Sequence, residues 1–220
     1  MQQLAGAVAL HGLAAAPIPA PVIPLRALAS GPLSSARDVD AERLLRFNRE
    51  LLDQALDLVA LHDRPHAPSY ASHAGAHLRH VIEHYEALLL RPLGEPLAYD
   101  NRPRDRELER CTLRARARLL RLQQRLQGWT RATLDTSVRV LSRGGVAGEF
   151  EFITMSSLGR ELMFLASHAV HHFALLTAYY LEHGLAMRTH FGKAPATVAH
   201  ELHARTTPLH TTSRNTRPID

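Results

Sequence analysis

Seven histidines fall in two short stretches of this chain, His73, His77, His80 and His84 in one and His168, His171 and His172 in the other. A neutral imidazole is a nitrogen donor suited to borderline divalent metals such as Zn²⁺, Ni²⁺ and Fe²⁺. His168 and His172 are four residues apart, the spacing that sets two imidazoles one turn apart on one helix face and lets them share an ion. A third histidine from a facing helix would fill three corners of a tetrahedron. The fourth corner would stay open to water or substrate, as in a catalytic site, whereas structural sites fill all four with protein atoms.

The other stretch strengthens this reading. At 100 degrees per residue, His73, His77, His80 and His84 fall within an arc of about 60 degrees over three turns. Burying several imidazoles without partners costs roughly 1 to 3 kcal/mol each, so two inward-facing ladders imply hydrogen bonds or a metal. Glu161 lies two turns before His168 in nearly the same direction, and His171 about 60 degrees to one side. Tyr179 completes the His168 face and is a candidate substrate contact. The other eight histidines, His11, His62, His66, His183, His190, His200, His203 and His210, are scattered over loops, tails and helix ends and are expected to be incidental.

Four amphipathic helices must position these groups. Leu44, Phe47, Leu51, Leu58 and Val59 recur at three- and four-residue steps from Ser35 to about Asp63, with Asp38 or Asp40 as the expected cap. The second helix is predicted from about Ser72 to Leu90, ahead of Pro92 and Gly94. A charged loop, Tyr99 to Glu109, leads to a third helix through Leu108, Cys111, Ala115, Leu119, Leu122 and Leu126, with Asp105 as a candidate cap. Period-two alternation through Leu134, Thr136, Val138 and Val140, a turn at Ser142–Gly145, and Phe150 and Phe152 on one face predict a β-hairpin. The fourth helix is predicted to start at a Ser156, Ser157 cap, with Glu161 in its second turn, and to stop at Gly184. A short helix from Pro195 follows. The expected fold is all-α: a four-helix bundle with a small hairpin between helices 3 and 4.

Composition narrows the function further. With 5% aromatic residues among 220, the core must rest on Leu, Ala and Val, and an aromatic stacking platform is not expected. Of 26 basic residues all but Lys193 are arginine, against 21 acids, for a net charge of +5. Arg110, Arg114, Arg118, Arg121 and Arg125 share one side of a helix with no interleaved aromatic, which suits a solvated face better than a nucleic-acid footprint. Cys111 alone allows neither an internal disulfide nor a cysteine zinc site and points to a reducing compartment. Residues 1–35 read as an Ala- and Pro-rich unpacked leader, 36–204 as the domain and 205–220 as a frayed tail. The leader has no positive n-region, and no stretch holds roughly 20 uninterrupted apolar residues, so a cytoplasmic protein without a membrane span is expected.

At His168, His171, His172 and Gly184 the sequence resembles the DinB-like family of four-helix metalloproteins, which includes YfiT-type hydrolases, thiol-dependent S-transferases and a thiol-dependent maleylpyruvate isomerase. The second-helix stretch HAGAHLRH resembles the family's Ser-Ile-Gly start, with Gly75 in register. The resemblance spans about residues 40 to 200. It is closest to a branch with HxRHxxxH on the second helix, here His77, Arg79, His80 and His84, followed by YDxRxRDxxLE, here Tyr99, Asp100, Arg102, Arg104, Asp105 and Glu109. Ala174 and Leu175 replace the Gly-Gln pair that often follows the last ligand.

The resemblance implies His80, His168 and His172 as ligands of one divalent ion, Zn, Ni or Fe, with a low-molecular-weight thiol as a possible cosubstrate and a homodimer as the assembly. Such an ion could acidify a bound water or hold a thiolate. Glu161 is then the candidate general base or orienting carboxylate, and Glu83, beside His84, the next. Arg102 and Arg104 could pair with a substrate carboxylate. The expected function is a metal-dependent enzyme of hydrolase or thiol S-transferase type acting on a small molecule. The alternatives are a metal-binding stress-response protein without catalysis, and a two-metal redox enzyme that adds His77, His84, His171 and Glu83 or Glu161.

Overall fold

A computed structural model of the chain describes residues 33–206. Residues 1–32 of the expected leader and 207–220 of the expected tail lie outside the described residues. Helices α1 (Leu33–Leu61), α2 (Ala74–Leu89), α3 (Thr112–Gln127) and α5 (Leu158–Glu182) are joined by a short helix α4 (Arg131–Leu134) and an antiparallel hairpin, β1 (Ser137–Gly144) and β2 (Phe150–Ser157), and followed by α6 (Pro195–Thr206). The four long helices pack in the pairs α1 with α3, α3 with α2, α2 with α5 and α5 with α1, so the described residues form a mostly helical bundle with one two-stranded sheet.

The core is aliphatic, as the composition demands. Leu45, Leu52, Ala55 and Leu58 of α1 meet Leu78, Ile82 and Tyr85 of α2, Leu119 and Leu122 of α3, and Leu162, Leu165, Phe173 and Leu176 of α5, all buried. The buried polar residue Asn48 is satisfied within it: its Nδ2 donates to Leu44 O at 2.9 Å and its Oδ1 accepts from Tyr85 OH at 2.8 Å. Among the described residues α5 alone is long and apolar enough to cross a membrane by length and composition. Its apolar face is committed to the bundle core.

Several expected boundaries shift. Helix α1 begins at Leu33, so Asp38 and Asp40 lie inside it; they pair instead with Arg131 at 3.0 Å and Arg43 at 3.2 Å. Helix α3 begins at Thr112, because residues 105–111 form successive turns, such as Leu108 N to Asp105 O at 3.2 Å. Asp105 therefore caps one of those turns, accepting from Glu107 N at 3.0 Å, and not the helix. The unpredicted α4 is closed by a capping box between Thr130 and Thr133. Strand β1 runs through Gly144, which moves the turn beyond the expected Ser142–Gly145 to a segment where Gly145 and Gly148 have φ of 91° and 74°. On its other edge β1 exchanges hydrogen bonds of 2.8 Å with Leu97.

Both ends of α5 follow the sequence signals. Ser157 Oγ accepts from Arg160 N at 3.2 Å, with Glu161 in the first turn rather than the second. Gly184 adopts φ 68°, and Leu185 N reaches back to Tyr180 O at 3.0 Å, a Schellman closure.

Candidate metal centre

The two histidine ladders face each other between α2 and α5. His80 lies with its ring centroid 4.1 Å from His84, 5.0 Å from His168 and 4.6 Å from His172. His168 contacts His84 at 4.5 Å and His172 at 4.7 Å, so four imidazoles touch across the helix pair. One ligand-capable nitrogen from each of His80, His84 and His168 lies within 4.8 Å of the other two. The tightest set therefore contains His84, in the place the resemblance gives to His172.

Hydrogen bonds settle which nitrogens are available. His84 Nδ1 is 2.6 Å from His80 O, and a carbonyl only accepts, so Nδ1 carries the proton and Nε2 presents a lone pair. His172 Nδ1 is 2.9 Å from His77 Nδ1, which leaves Nε2 as its free nitrogen. His168 Nε2 is buried with no hydrogen-bond partner among the described residues. A buried orphan nitrogen facing a cluster of other donor nitrogens is the feature a metal ion would satisfy.

The cluster is poised in the ligating protonation state. Burial, followed by the neighbouring His84, Arg102 and His168, pushes His80 down to about 3. Burial likewise brings His84 and His172 to about 3 and lowers His168 and His77. All five are neutral at pH 7. Three neutral imidazoles suit Zn²⁺, Ni²⁺ or Fe²⁺ and suit Mg²⁺ or Ca²⁺ poorly.

The ladder extends beyond the cluster at one end. His77 stacks towards His73 at 5.2 Å, His73 contacts Tyr179 at 4.5 Å, and Tyr179 OH meets Ser72 Oγ at 3.0 Å. Tyr179, expected as a substrate contact, thus sits at the far end of the column from His84. His171 meets the flank of His172, at 5.5 Å.

The carboxylates hold the surroundings rather than the cluster. Glu83 Oε1 accepts from Asp105 N at 2.7 Å, and Oε2 is 4.0 Å from Arg102 Nε, so this buried residue, a candidate carboxylate of the alternative two-metal site, anchors the charged loop. Glu161, also buried, accepts from Ser156 Oγ at 2.6 Å, Arg160 Nη1 at 2.9 Å and Tyr99 OH at 3.1 Å. The Tyr99 ring stacks on His84 with centroids 5.5 Å apart. Glu161 thus meets the cluster through Tyr99, the arrangement expected of an orienting carboxylate, the second of its two expected roles.

Arg102 does approach the cluster. Its Nη2 lies 3.5 Å from His80 Nδ1, and its Nη1 donates to Tyr99 O. Arg104 is exposed, with a left-handed φ of 53°. The loop that carries both is clamped by Arg118, which pairs with Glu86 and Asp105, and by Arg79 with Glu109 at 3.0 Å. Arg118 is thus the member of the expected solvated arginine face that turns inward. Gly75 has a packing reason as well: a Cβ there would stand 1.9 Å from Glu109 O.

Two residues near the site gave weaker signals in sequence. Tyr99 and Phe164 flank the cluster, Phe164 stacking on His168 at 5.7 Å; Tyr99 belonged to the loop motif, whereas Phe164 had only its four-residue step before His168. His62, expected to be incidental, bridges Pro68 O at 2.8 Å and Tyr180 OH at 2.6 Å.

No family model matches this sequence and no solved structure matches it. FK506-binding protein 5 of Rhizopus delemar is 33% identical to it over 104 residues, which are 47% of this chain and 27% of that protein. The chain thus spans about a quarter of the length of that curated relative.

Proposed function

We propose that this chain is a DinB-like four-helix metalloprotein that binds one divalent ion and acts as a hydrolase or thiol S-transferase on a small molecule. The convergence of one nitrogen each from His80, His84 and His168 within 4.8 Å, with the buried His168 Nε2 lacking a hydrogen-bond partner among the described residues, carries this reading. His84 Nε2 and His168 Nε2 would hold the ion together with His80. His172 is the neighbouring imidazole, oriented by His77. A bound divalent ion supplies Lewis acidity that turns a water or thiol into a nucleophile near neutral pH.

The protein's own residues supply the rest. Burial keeps the imidazoles unprotonated, and the His80 carbonyl holds the His84 proton on Nδ1. The Tyr99 and Phe164 rings stack on His84 and His168 on the hairpin side. Arg102, tied to Glu83 and Tyr99, offers a guanidinium beside His80 for an anionic substrate group.

Turnover tests the enzymatic claim. The zinc-loaded protein should consume a low-molecular-weight thiol in the presence of an electrophile, or hydrolyse an activated ester or amide. Activity lost in His168→Ala with the fold retained supports the reading. A protein that binds one ion and turns over neither substrate class is a metal-binding protein without catalysis. Two ions per chain would instead support the two-metal alternative.

A further inference from the structure

A second concavity adjoins the histidine cluster on its hairpin side. It encloses about 430 Å³ between the hairpin and the first turns of α5, within the roughly 300 to 1,000 Å³ usual for small-molecule sites. The strand register explains its wall. Val140 faces Thr154 and Ser142 faces Phe152, so alternate residues of both strands present one face to α5. Tyr99 and Phe164 close the opposite side, and their rings rest in turn on His84 and His168.

The lining selects its occupant. Val140, Phe152, Tyr99 and Phe164 offer apolar and aromatic surface, which suits a flat ring. Glu161 already accepts three hydrogen bonds, from Ser156, Arg160 and Tyr99, so its charge is answered within the protein and does not call for a cation. Arg160 differs. It gives one N–H to Glu161, lies 5.9 Å over the Phe164 ring, and keeps its side chain 68% exposed at the rim, with further N–H donors to offer. An aromatic body with an anionic group meets both the ring-lined wall and the guanidinium.

We propose that the cavity between the hairpin and α5 binds a small aromatic carboxylate or related aromatic anion, with the ring between Phe152 and Phe164 and the anion on Arg160. That this ligand is the substrate rests on the metal-centre reading. That it binds there does not, since no lining residue belongs to the triad.

Isothermal titration of the full-length, metal-free protein with 2-naphthoate, and with 2-naphthylmethylammonium as the cationic counterpart, tests the proposal. One naphthoate per chain is expected, with the ammonium compound at least about tenfold weaker. Thr154→Trp, at an exposed strand position on the cavity face, should abolish binding while leaving the circular dichroism spectrum and Zn²⁺ uptake unchanged. Arg160→Gln should weaken naphthoate by about tenfold and leave neutral naphthalene methanol unaffected. Absence of naphthoate binding, binding indifferent to Thr154→Trp, or equal affinity for the cation would each overturn the proposal. Zn²⁺ uptake by separate aliquots of the same proteins keeps the two claims apart: naphthoate binding to a protein that takes up no metal sinks the metal centre alone, and metal uptake without naphthoate binding sinks the cavity alone.

Discussion

His84 Nδ1 and the carbonyl oxygen of His80 lie 2.6 Å apart, one helical turn from each other. The carbonyl fixes the proton on Nδ1 and leaves Nε2 of His84 with its lone pair for a metal. His84→Ala should therefore lower zinc affinity by at least about 100-fold, as loss of a ligand does, while His77→Ala, which removes the partner of His172, should cost about 10-fold. Competition with a chromogenic chelator measures both. Equal affinity for wild type and His84→Ala, together with a large loss in His172→Ala, would return the third position to His172.

The second prediction concerns pH. His80, His84 and His172 are held at about 3 in the folded chain, chiefly by burial, against about 6.5 when unfolded. Below pH 6.5 the unfolded chain takes up protons that the folded chain refuses, so stability falls as pH drops from 6.5 towards 3 and is indifferent to these groups above about 7.5. His62, lowered by burial at the α1 terminus, acts in the same direction. The Tm of the metal-free protein should drop steadily between pH 7 and pH 5, and less steeply in His80→Ala/His172→Ala. A flat Tm across that range would contradict the burial of neutral imidazoles.

Glu83 holds the loop to α2. Its carboxylate is buried, accepts from Asp105 N and faces Arg102, so Glu83→Gln leaves a buried guanidinium without its counter-charge and should cost about 3 kcal/mol. Urea unfolding checks the loss. Metal content should stay at the wild-type value, and a loss of metal at unchanged stability would place Glu83 among the ligands after all.

Gly75 tests how the loop seats on α2. A methyl group there meets the Glu109 carbonyl at 1.9 Å, backbone against backbone, so Gly75→Ala should destabilise by about 2 to 3 kcal/mol. Calorimetry on the metal-free protein reads this directly, and a Tm within a degree of wild type would mean the loop sits elsewhere.

The helices and the facing of the two ladders were legible because heptad-like spacing and the Ser157 and Gly184 caps act locally. His73, His77, His80 and His84 fall on one arc by sequence alone. Which of them meets His168 depends on how far α2 slides along α5, a tertiary quantity that no wheel contains, and so His84 could not be told from its neighbours. Glu161 shows the same limit: its direction from the axis agreed with the histidines, but the Tyr99 ring, brought in by a loop 62 residues away, intervenes. Asp105 resembled a helix cap because a capping aspartate and a turn-forming aspartate look alike in sequence, and only the turns through Cys111 separate them.

Metal content of tag-free protein, measured by plasma mass spectrometry beside His84→Ala and His168→Ala, bears most directly on the centre between α2 and α5. The expected result is about one zinc, nickel or iron per chain in wild type and a near-complete loss in both variants with the helical spectrum intact. Wild-type protein that folds without metal and takes up none on incubation with Zn²⁺, Ni²⁺ or Fe²⁺ would contradict it.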